Sequence, residues 1–321
     1  MPIATLKQVL GEAKKKKYAV GGFNVNNMEQ IQAIMLAAQK TKSPVILQAS
    51  KGALAYTNLV YIKHLVLAAL EENSNLPIVM HLDHGDSLET VKKAIGLGFS
   101  SVMIDASNKS FRKNVELTKK VVKYAHGFGV SVEAELGTLG GIEEHVKGAV
   151  KLTDPKQAID FVDKTGIDAL AVAIGTSHGA YKFKKTPKLA LELVKEIAKN
   201  VNIPLVMHGS SSIPLNLRQQ INRYGGKMPN AKGVPISSIQ KAIKYGISKV
   251  NVDSDSRMAI TATIRKVFKK HPEKFDPREY LGPAREEMTK LIASKMRAFK
   301  TAGHAKDYRV VSLKETKKRY R

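Results

Sequence analysis

The sequence predicts an α/β fold of the closed (β/α)8 type, a TIM barrel carrying a helical extension at its C-terminal end. Three observations support this. Short apolar runs alternate with helix-periodic segments along the whole chain, and the strand–helix unit recurs eight times. No segment shows a pattern that would reverse the sheet. The 321 residues exceed the roughly 250 that a barrel core needs, which leaves a remainder for extensions. A doubly wound open sheet is the alternative, because strand–helix alternation is common to both architectures.

The elements follow in order. The opening segment MPIATLKQVLGEAKKKK reads as a helix followed by an exposed Lys14–Lys17 run. Tyr18–Phe23 reads as the first strand. A helix over Met28–Lys40 follows, with Ile31, Ile34, Met35 and Ala38 on one face. Pro44–Ala49 is a strand, Leu59–Glu71 a helix, Pro77–Leu82 a strand and Ser87–Gly96 a helix. Ser101–Ile104 is the fourth strand, ahead of a helix over Arg112–His126. Val130–Glu135 is the fifth, followed by the Gly-rich segment Gly137–Val150. Asp154–Lys164 is a helix, capped by Asp154 or Thr153, with Pro155 in its first turn. Ala169–Ile174, a helix over Pro187–Lys199, then Ile203–Met207 and Ile247–Val252 complete the strands. Ser254–Phe268 is a helix. The extensions are a Gly- and Pro-rich loop over Arg218–Ser238 and a helical tail after His271. Residues 1–321 read as one domain, with the barrel over about 1–270 and the tail over about 271–321.

Composition limits the chemistry. There are no cysteines, so disulfides, thiolate ligands and a cysteine nucleophile are excluded, and any metal must be held by His, Asp or Glu. No apolar run approaches the roughly 20 residues of a membrane span, and the N-terminal segment lacks the layout of a secretory signal. A reducing cytoplasm fits this composition. Lys and Arg number 53 against 28 Asp and Glu, a net charge of +25 that attracts anionic metabolites or polyanions. The lysines are dispersed and only 6% of residues are aromatic, which favours solvated helix faces over a base-stacking surface.

In such a barrel, reactive side chains come from the C-terminal ends of strands. Three strands end in a His followed by Gly: His84-Gly85, His178-Gly179 and His208-Gly209. A single His there is more often a cap or a supporting residue. Three at equivalent positions face one mouth, and three imidazoles with an open position suit catalytic zinc, although cobalt fits the same donors. His81 is a supporting candidate. Carboxylates occupy similar places: Asp83 beside His84, Asp105 after the fourth strand, and Glu133 and Glu135 two apart on one face of the fifth. Acids pointing into an apolar barrel are costly unless a cation is near. Glu133 also reads as a hydrogen-bonded carboxylate at the barrel rim.

Two segments suit phosphate. Gly209-Ser210-Ser211-Ser212 follows the seventh strand, and Asn251-Val252-Asp253-Ser254-Asp255-Ser256-Arg257 follows the eighth and opens a helix. Small residues there allow backbone N–H groups and a helix N-terminus to approach an anion. Lys182 adds charge to the same region, or is a solvated loop lysine.

The segments GGFNVNN, HLDHG, VMIDAS, VEAELGTLGG, GTSHGAYK, MHGSSS and NVDSDSR, in this order, resemble those of class II, metal-dependent fructose-1,6-bisphosphate aldolases, in particular the shorter IIB type, over essentially the whole chain. The resemblance implies a zinc enzyme that reversibly cleaves fructose 1,6-bisphosphate to dihydroxyacetone phosphate and glyceraldehyde 3-phosphate. His84, His178 and His208 match its zinc ligands, and Asp105 and Glu135 match carboxylates of a second or alternative metal position. A monovalent cation is a further possible cofactor. Asp83 matches the general acid/base that takes the C4 hydroxyl proton, and Glu143 a mobile-loop acid that moves a second proton. Gly179, Gly209, Ser210, Ser211, Asn251, Asp253 and Ser254 match segments that hold the dihydroxyacetone phosphate half. Asn24 and Ser50 match positions near the other half. Arg257 and Arg278 are candidates for the second phosphate, with reach toward a neighbouring subunit of a homodimer or homotetramer.

Rival readings are distinguishable. A tagatose-1,6-bisphosphate aldolase shares fold and chemistry; the acid at Asp253 is linked by the resemblance to the fructose form. A nucleic-acid or surface-binding protein would use the basic charge without needing strand-end histidines. Metal-dependent barrel hydrolases often carry His-x-His on the first strand, where this chain has Gly22-Phe23-Asn24.

Overall fold

The computed structural model describes residues 3–143, 146–148, 150–180 and 187–320, and only the backbone of residues 142, 143 and 146–148. Its centre is a closed barrel of eight strands, every pair parallel. These are β1 (Val20–Asn24), β2 (Val45–Ser50), β3 (Ile78–Gly85), β4 (Ser101–Ile104) and β5 (Ser131–Leu136), then, after a hairpin of β6 (Gly141–Glu143) and β7 (Val146–Gly148), β8 (Ala169–Val172), β9 (Leu205–Met207) and β10 (Ile247–Val252). Around the barrel the order is β1-β10-β9-β8-β5-β4-β3-β2, with β2 beside β1. The barrel is therefore closed and the open-sheet alternative is eliminated.

The helices in chain order are α1 (Leu6–Lys16), α2 (Met28–Thr41), α3 (Lys51–Thr57), α4 (Leu59–Glu72), α5 (Leu88–Gly96), α6 (Phe111–His126), α7 (Pro155–Thr165), α8 (Leu191–Asn200), α9 (Leu215–Arg223), α10 (Ile236–Tyr245), α11 (Ser254–Lys270), α12 (Pro277–Ala298) and α13 (Leu313–Lys318). They form where the sequence supplies a buried stripe and a cap. In α5, Val91, Ala94 and Ile95 are buried and the Ser87 side chain accepts from the Thr90 amide. In α7, Asp154 is the cap, Pro155 sits in the first turn, and Gly166 ends the helix in the left-handed conformation.

Helix α1 closes the N-terminal mouth. Its Leu6, Val9, Leu10 and Ala13 share a buried cluster with Val20, Ile46, Val79, Ala169, Ala171 and Val206 from the early parts of the strands. Reactive side chains are therefore left with the opposite mouth. Of the expected exposed run, Lys15–Lys17 are exposed, but the helix continues through it to Lys16, and half-buried Lys14 donates to the carbonyls of Val201 and Ile203 at 3.1 and 3.3 Å.

The expected loop over Arg218–Ser238 is also corrected. Helix α9 runs to Arg223 and α10 starts at Ile236, because Leu217 and Ile221 form a buried i, i+4 pair before the Gly- and Pro-rich part begins. The short helix α3 and the β6–β7 hairpin had no prediction. The tail is integrated with the barrel. Helix α12 packs on α2 and α11, and the chain then returns beneath the barrel, where Tyr320 stacks on His126 at 3.6 Å and donates to Asp168 at 3.0 Å. Among the described residues no single helix is long and apolar enough to cross a membrane.

Candidate metal and phosphate site at the C-terminal mouth

Strand alternation sends every second residue inward. Val79, His81 and Asp83 of β3 point into the barrel by this rule, and His84, on simple alternation, would point out. A register shift between Leu82 and Gly85 relative to β4 changes this. It is a bulge, and His84 takes a φ of +47° within it. Asp83 and His84 consequently face the same site. Donor atoms of Asp83, His84 and His208 lie within 4.8 Å of one another, as do those of His84, Asp105 and Glu135. The His178 ring completes the group, its centroid 5.3 Å from that of His84 and 6.4 Å from that of His208.

The carboxylates predicted near the metal hold the histidine rings. Asp105 Oδ2 is 2.8 Å from His84 Nδ1, Glu135 Oε2 is 2.8 Å from His208 Nδ1, and Glu133 Oε1 is 2.7 Å from His208 Nε2. Burial alone would lower the His208 pKa, but the bonds to Glu133 and Glu135 raise it to about 9. For Asp105, burial pushes upward, but the His84 bond and the Ser107 donors outweigh it and hold the acid below the usual carboxylate range.

Deeper in the barrel lies a pair that sequence reasoning missed. Lys249 of β10 is fully buried, with Nζ 2.8 Å from Glu133 Oε2 and 3.4 Å from His81 Nε2. An ammonium only donates, so His81 Nε2 accepts and Nδ1–H donates to Ser101 Oγ at 2.8 Å. Burial and the Lys249 charge lower the His81 pKa well below its ordinary value, so it is neutral. Glu133 is pushed up by burial and pulled down further by Lys249 and His208, and is ionised. It is an interior acid, not one at the rim.

Asp83 lies in a cradle of amides. Asn24 Nδ2 and Gln48 Nε2 donate to its Oδ2 at 3.1 Å each, and Asn251 Nδ2 donates to Oδ1 at 3.2 Å. Gln48 also donates to Asn24 Oδ1 at 2.7 Å, which fixes the Asn24 amide. Gln48 is fully buried and was not predicted as a site residue.

Above this lies a cavity of about 500 Å3. Its walls include Asn24, Ser50, Asp83, His178, Gly179, Gly209, Ser210, Ser211, Asn251, Asp253, Ser254 and Arg257, so residues predicted from six different strand ends meet in one space. Gly209 has a φ of +59°, and a Cβ there would lie 2.6 Å from the Ser177 carbonyl, so glycine alone fits. Asp253 spends its carboxylate on Arg257, with Nε–Oδ1 and Nη2–Oδ2 both 2.7 Å, while its amide donates to Ser211 Oγ at 3.2 Å.

The loop after β9 is strained and held. Ile213 has a φ of +50°, a conformation that costs a β-branched residue on the order of 1–3 kcal/mol. The buried Asp255 carboxylate accepts from the Ile213 amide at 2.7 Å, the Ser212 amide at 2.9 Å and the Ser212 hydroxyl at 3.0 Å. Lys295 of α12 contributes Nζ at 2.6 Å from Asp255 Oδ2. Burial pushes Asp255 upward, but the Lys295 charge and these donors bring it below its usual value.

Some predicted residues are not gathered here. Arg278 is 90% exposed at the start of α12 and pairs with Asp276, away from the cavity of its own chain. Lys182 and the Glu143 side chain lie outside the described residues. Of the missed residues, Gln48 and Lys249 had a usable signal, since each is polar and two positions before a predicted inward residue, Ser50 and Asn251. Asp255 had none, because an acid in a helix first turn is ordinary.

The sequence profile described as "Fructose-bisphosphate aldolase class-II" matches residues 4–304. The chain is 63% identical to a fructose-bisphosphate aldolase of Giardia intestinalis over the whole of both, and 47% identical to one of Nostoc commune, covering all of this chain and 96% of that one. Among solved structures it resembles the YdjI aldolase of Escherichia coli K12, with a TM-score of 0.78 and 31% identity over 94% of this chain and 99% of that one. This chain belongs to the class II fructose-bisphosphate aldolase family.

Proposed function

We propose that the protein catalyses reversible aldol cleavage of fructose 1,6-bisphosphate to dihydroxyacetone phosphate and glyceraldehyde 3-phosphate, with a divalent metal held by His84, His178 and His208. The observation that carries this is one cavity lined by His178, the cradled Asp83 and the Gly209–Ser211 and Asp253–Ser254 segments, with the His84 and His208 rings packed against His178.

The residues fit a cation. Among the described residues, Asp83, Asp105, Glu133 and Glu135 are set against Lys249 inside the barrel, and this excess of acid already draws a proton onto His208. His84, His178 and His208 would hold a divalent ion, whose charge would take the place of that proton. The donor set, imidazole with carboxylate and no thiolate, suits zinc, and zinc is the metal we assign. When bound, it supplies Lewis-acid stabilisation of the negative charge left on the ketone half.

The chain's own residues do the rest. Asp83 accepts the C4 hydroxyl proton as C4 becomes the aldehyde carbon. The C3–C4 electron pair passes to the ketone half, which regains a proton at C3; Glu143 is assigned to deliver it. Asn24, Gln48 and Asn251 aim the Asp83 carboxylate. Ser210 and Ser211, with the amides of their loop and the α11 N-terminus, are assigned to one phosphate, and Arg257, in the same cavity wall, to the other. Arg278 receives no part within its own chain.

The experiment is metal content measured together with cleavage of fructose 1,6-bisphosphate, before and after chelation. Loss of both with EDTA, and recovery with zinc, is expected; full activity in stripped protein refutes the metal assignment. Comparing kcat/KM for the fructose and tagatose bisphosphates decides the sugar, and the similarity to proteins named fructose-bisphosphate aldolase supports fructose.

A further inference from the structure

We propose that Asp255 and Lys295 are positioning residues that hold the phosphate loop in its binding conformation and make that conformation depend on the C-terminal helix α12. The inference rests on the reading of Gly209–Ser211 as a phosphate-binding segment. Neither residue lines the cavity, and neither contacts the proposed metal ligands.

The geometry is specific. Asp255 sits in the first turn of α11, whose N-terminus forms one wall of the cavity, while the amides it accepts from belong to Ser212 and Ile213, at the end of the loop that forms the other. One carboxylate thus fixes the distance between the two segments that meet the phosphate. Lys295 Nζ bonds to both Asp255 Oδ2 and Ser212 Oγ, at 2.6 Å each, which closes a triangle between two buried charges and the half-buried Ser212 hydroxyl. A buried ion pair is weak support for stability on its own and is best explained by a geometry it enforces. That geometry is visible: Ile213 is held at positive φ, where a β-branched side chain does not rest unless its surroundings impose it. The loop is pinned from its other side as well, where the Ser211 carbonyl accepts from the Val234 amide at 3.1 Å. With the carboxylate neutralised, the Ser212 and Ile213 amides lose their acceptor's charge, Ile213 relaxes, and the amides upstream no longer converge on one anion.

The test compares wild type with Asp255→Asn, Lys295→Met, Lys295→Arg and Ser212→Ala. The readouts are KM and kcat for fructose 1,6-bisphosphate, the Kd for inorganic phosphate by calorimetry, metal content and Tm. Asp255→Asn and Lys295→Met should raise KM and the phosphate Kd by about tenfold or more. Metal content should stay at the wild-type level and kcat should fall much less than KM rises. Lys295→Arg should restore most of the affinity. If Asp255→Asn fails to fold, Lys295→Met and Ser212→Ala give the same readout. Unchanged KM and phosphate Kd in folded variants overturn the inference, as does a parallel loss of kcat, metal and affinity, which marks general destabilisation. Wild-type protein that binds no phosphate refutes the phosphate reading itself; wild-type binding with unaltered variants refutes only the positioning role.

Discussion

Glu133 Oε2 and Lys249 Nζ lie 2.8 Å apart inside the barrel, both without solvent exposure. The pair sits directly beneath the histidines, since the other oxygen of Glu133 is bonded to His208. It therefore supports the His208 ring from below, and neither charge is exposed to solvent.

Removing one partner leaves the other charged and buried. Lys249→Met should destabilise the protein by about 3–5 kcal/mol, the usual cost of breaking a buried pair from one side. The double variant Glu133→Gln/Lys249→Met should recover part of that loss. Urea unfolding of the single and double variants measures both, and equal stabilities for wild type and Lys249→Met would show that the pair is not coupled.

Asp83 stands close enough to His84 and His208 to be counted among possible ligands, yet its oxygens are occupied by three amide donors. Assigned as the acid/base group, its replacement by Ala should lower kcat by about 10²–10⁴-fold with metal content intact. Metal analysis of the purified variant decides between the roles, because a ligand would take the metal with it.

His208→Ala should lose metal and activity together. Two carboxylates, Glu133 and Glu135, then face each other without the ring they share, so zinc added in excess should fail to restore cleavage. Activity regained on adding zinc would remove His208 from the ligand set.

Acid stability should depend on Asp168. It is buried, and although burial pushes its pKa upward, His126, Lys7 and the Val132 amide hold it below the ordinary value. A folded value below the unfolded value of about 3.9 means that its contribution is complete above that pH and is lost as the pH falls through the folded value. Asp168→Asn should lower Tm at neutral pH and flatten the decline of Tm below about pH 4. A decline as steep as in wild type would exclude this group as its source.

The net charge of +25 should speed capture of a doubly phosphorylated substrate. Raising the KCl concentration should therefore reduce kcat/KM more than kcat. A salt-independent kcat/KM would mean that the field plays no part.

Most of this architecture was legible in the sequence because strand ends are marked twice, by the end of an apolar run and by a small or polar residue after it. His84, His178 and His208 stood out on that rule, and so did the Gly209–Ser212 and Asn251–Arg257 segments, whereas Asn24 and Ser50 came from the family resemblance alone. The rule could not show how neighbours such as Asp83 and His84 come to share a side, since the bulge that re-aims His84 leaves no compositional trace. Inward polar residues below the mouth, Gln48 and Lys249, carried only the spacing of two from Ser50 and Asn251, a signal masked by the apolar runs around them. Asp255 was illegible for a different reason: its partners, Ser212 and Lys295, are 43 and 40 positions away, and only the packing of α12 brings them together.

Closure of the barrel joins Val20 to Lys249 and Phe23 to Val252. During synthesis, β1 has no partner on that side until more than two hundred further residues have left the ribosome. An arrested nascent chain that stops before residue 247 therefore presents an open strand edge and an incomplete inner wall, and lacks Lys249 to neutralise Glu133. Contacts this distant in sequence form slowly, so the enzyme should acquire its metal site at the end of folding, after the whole barrel has emerged.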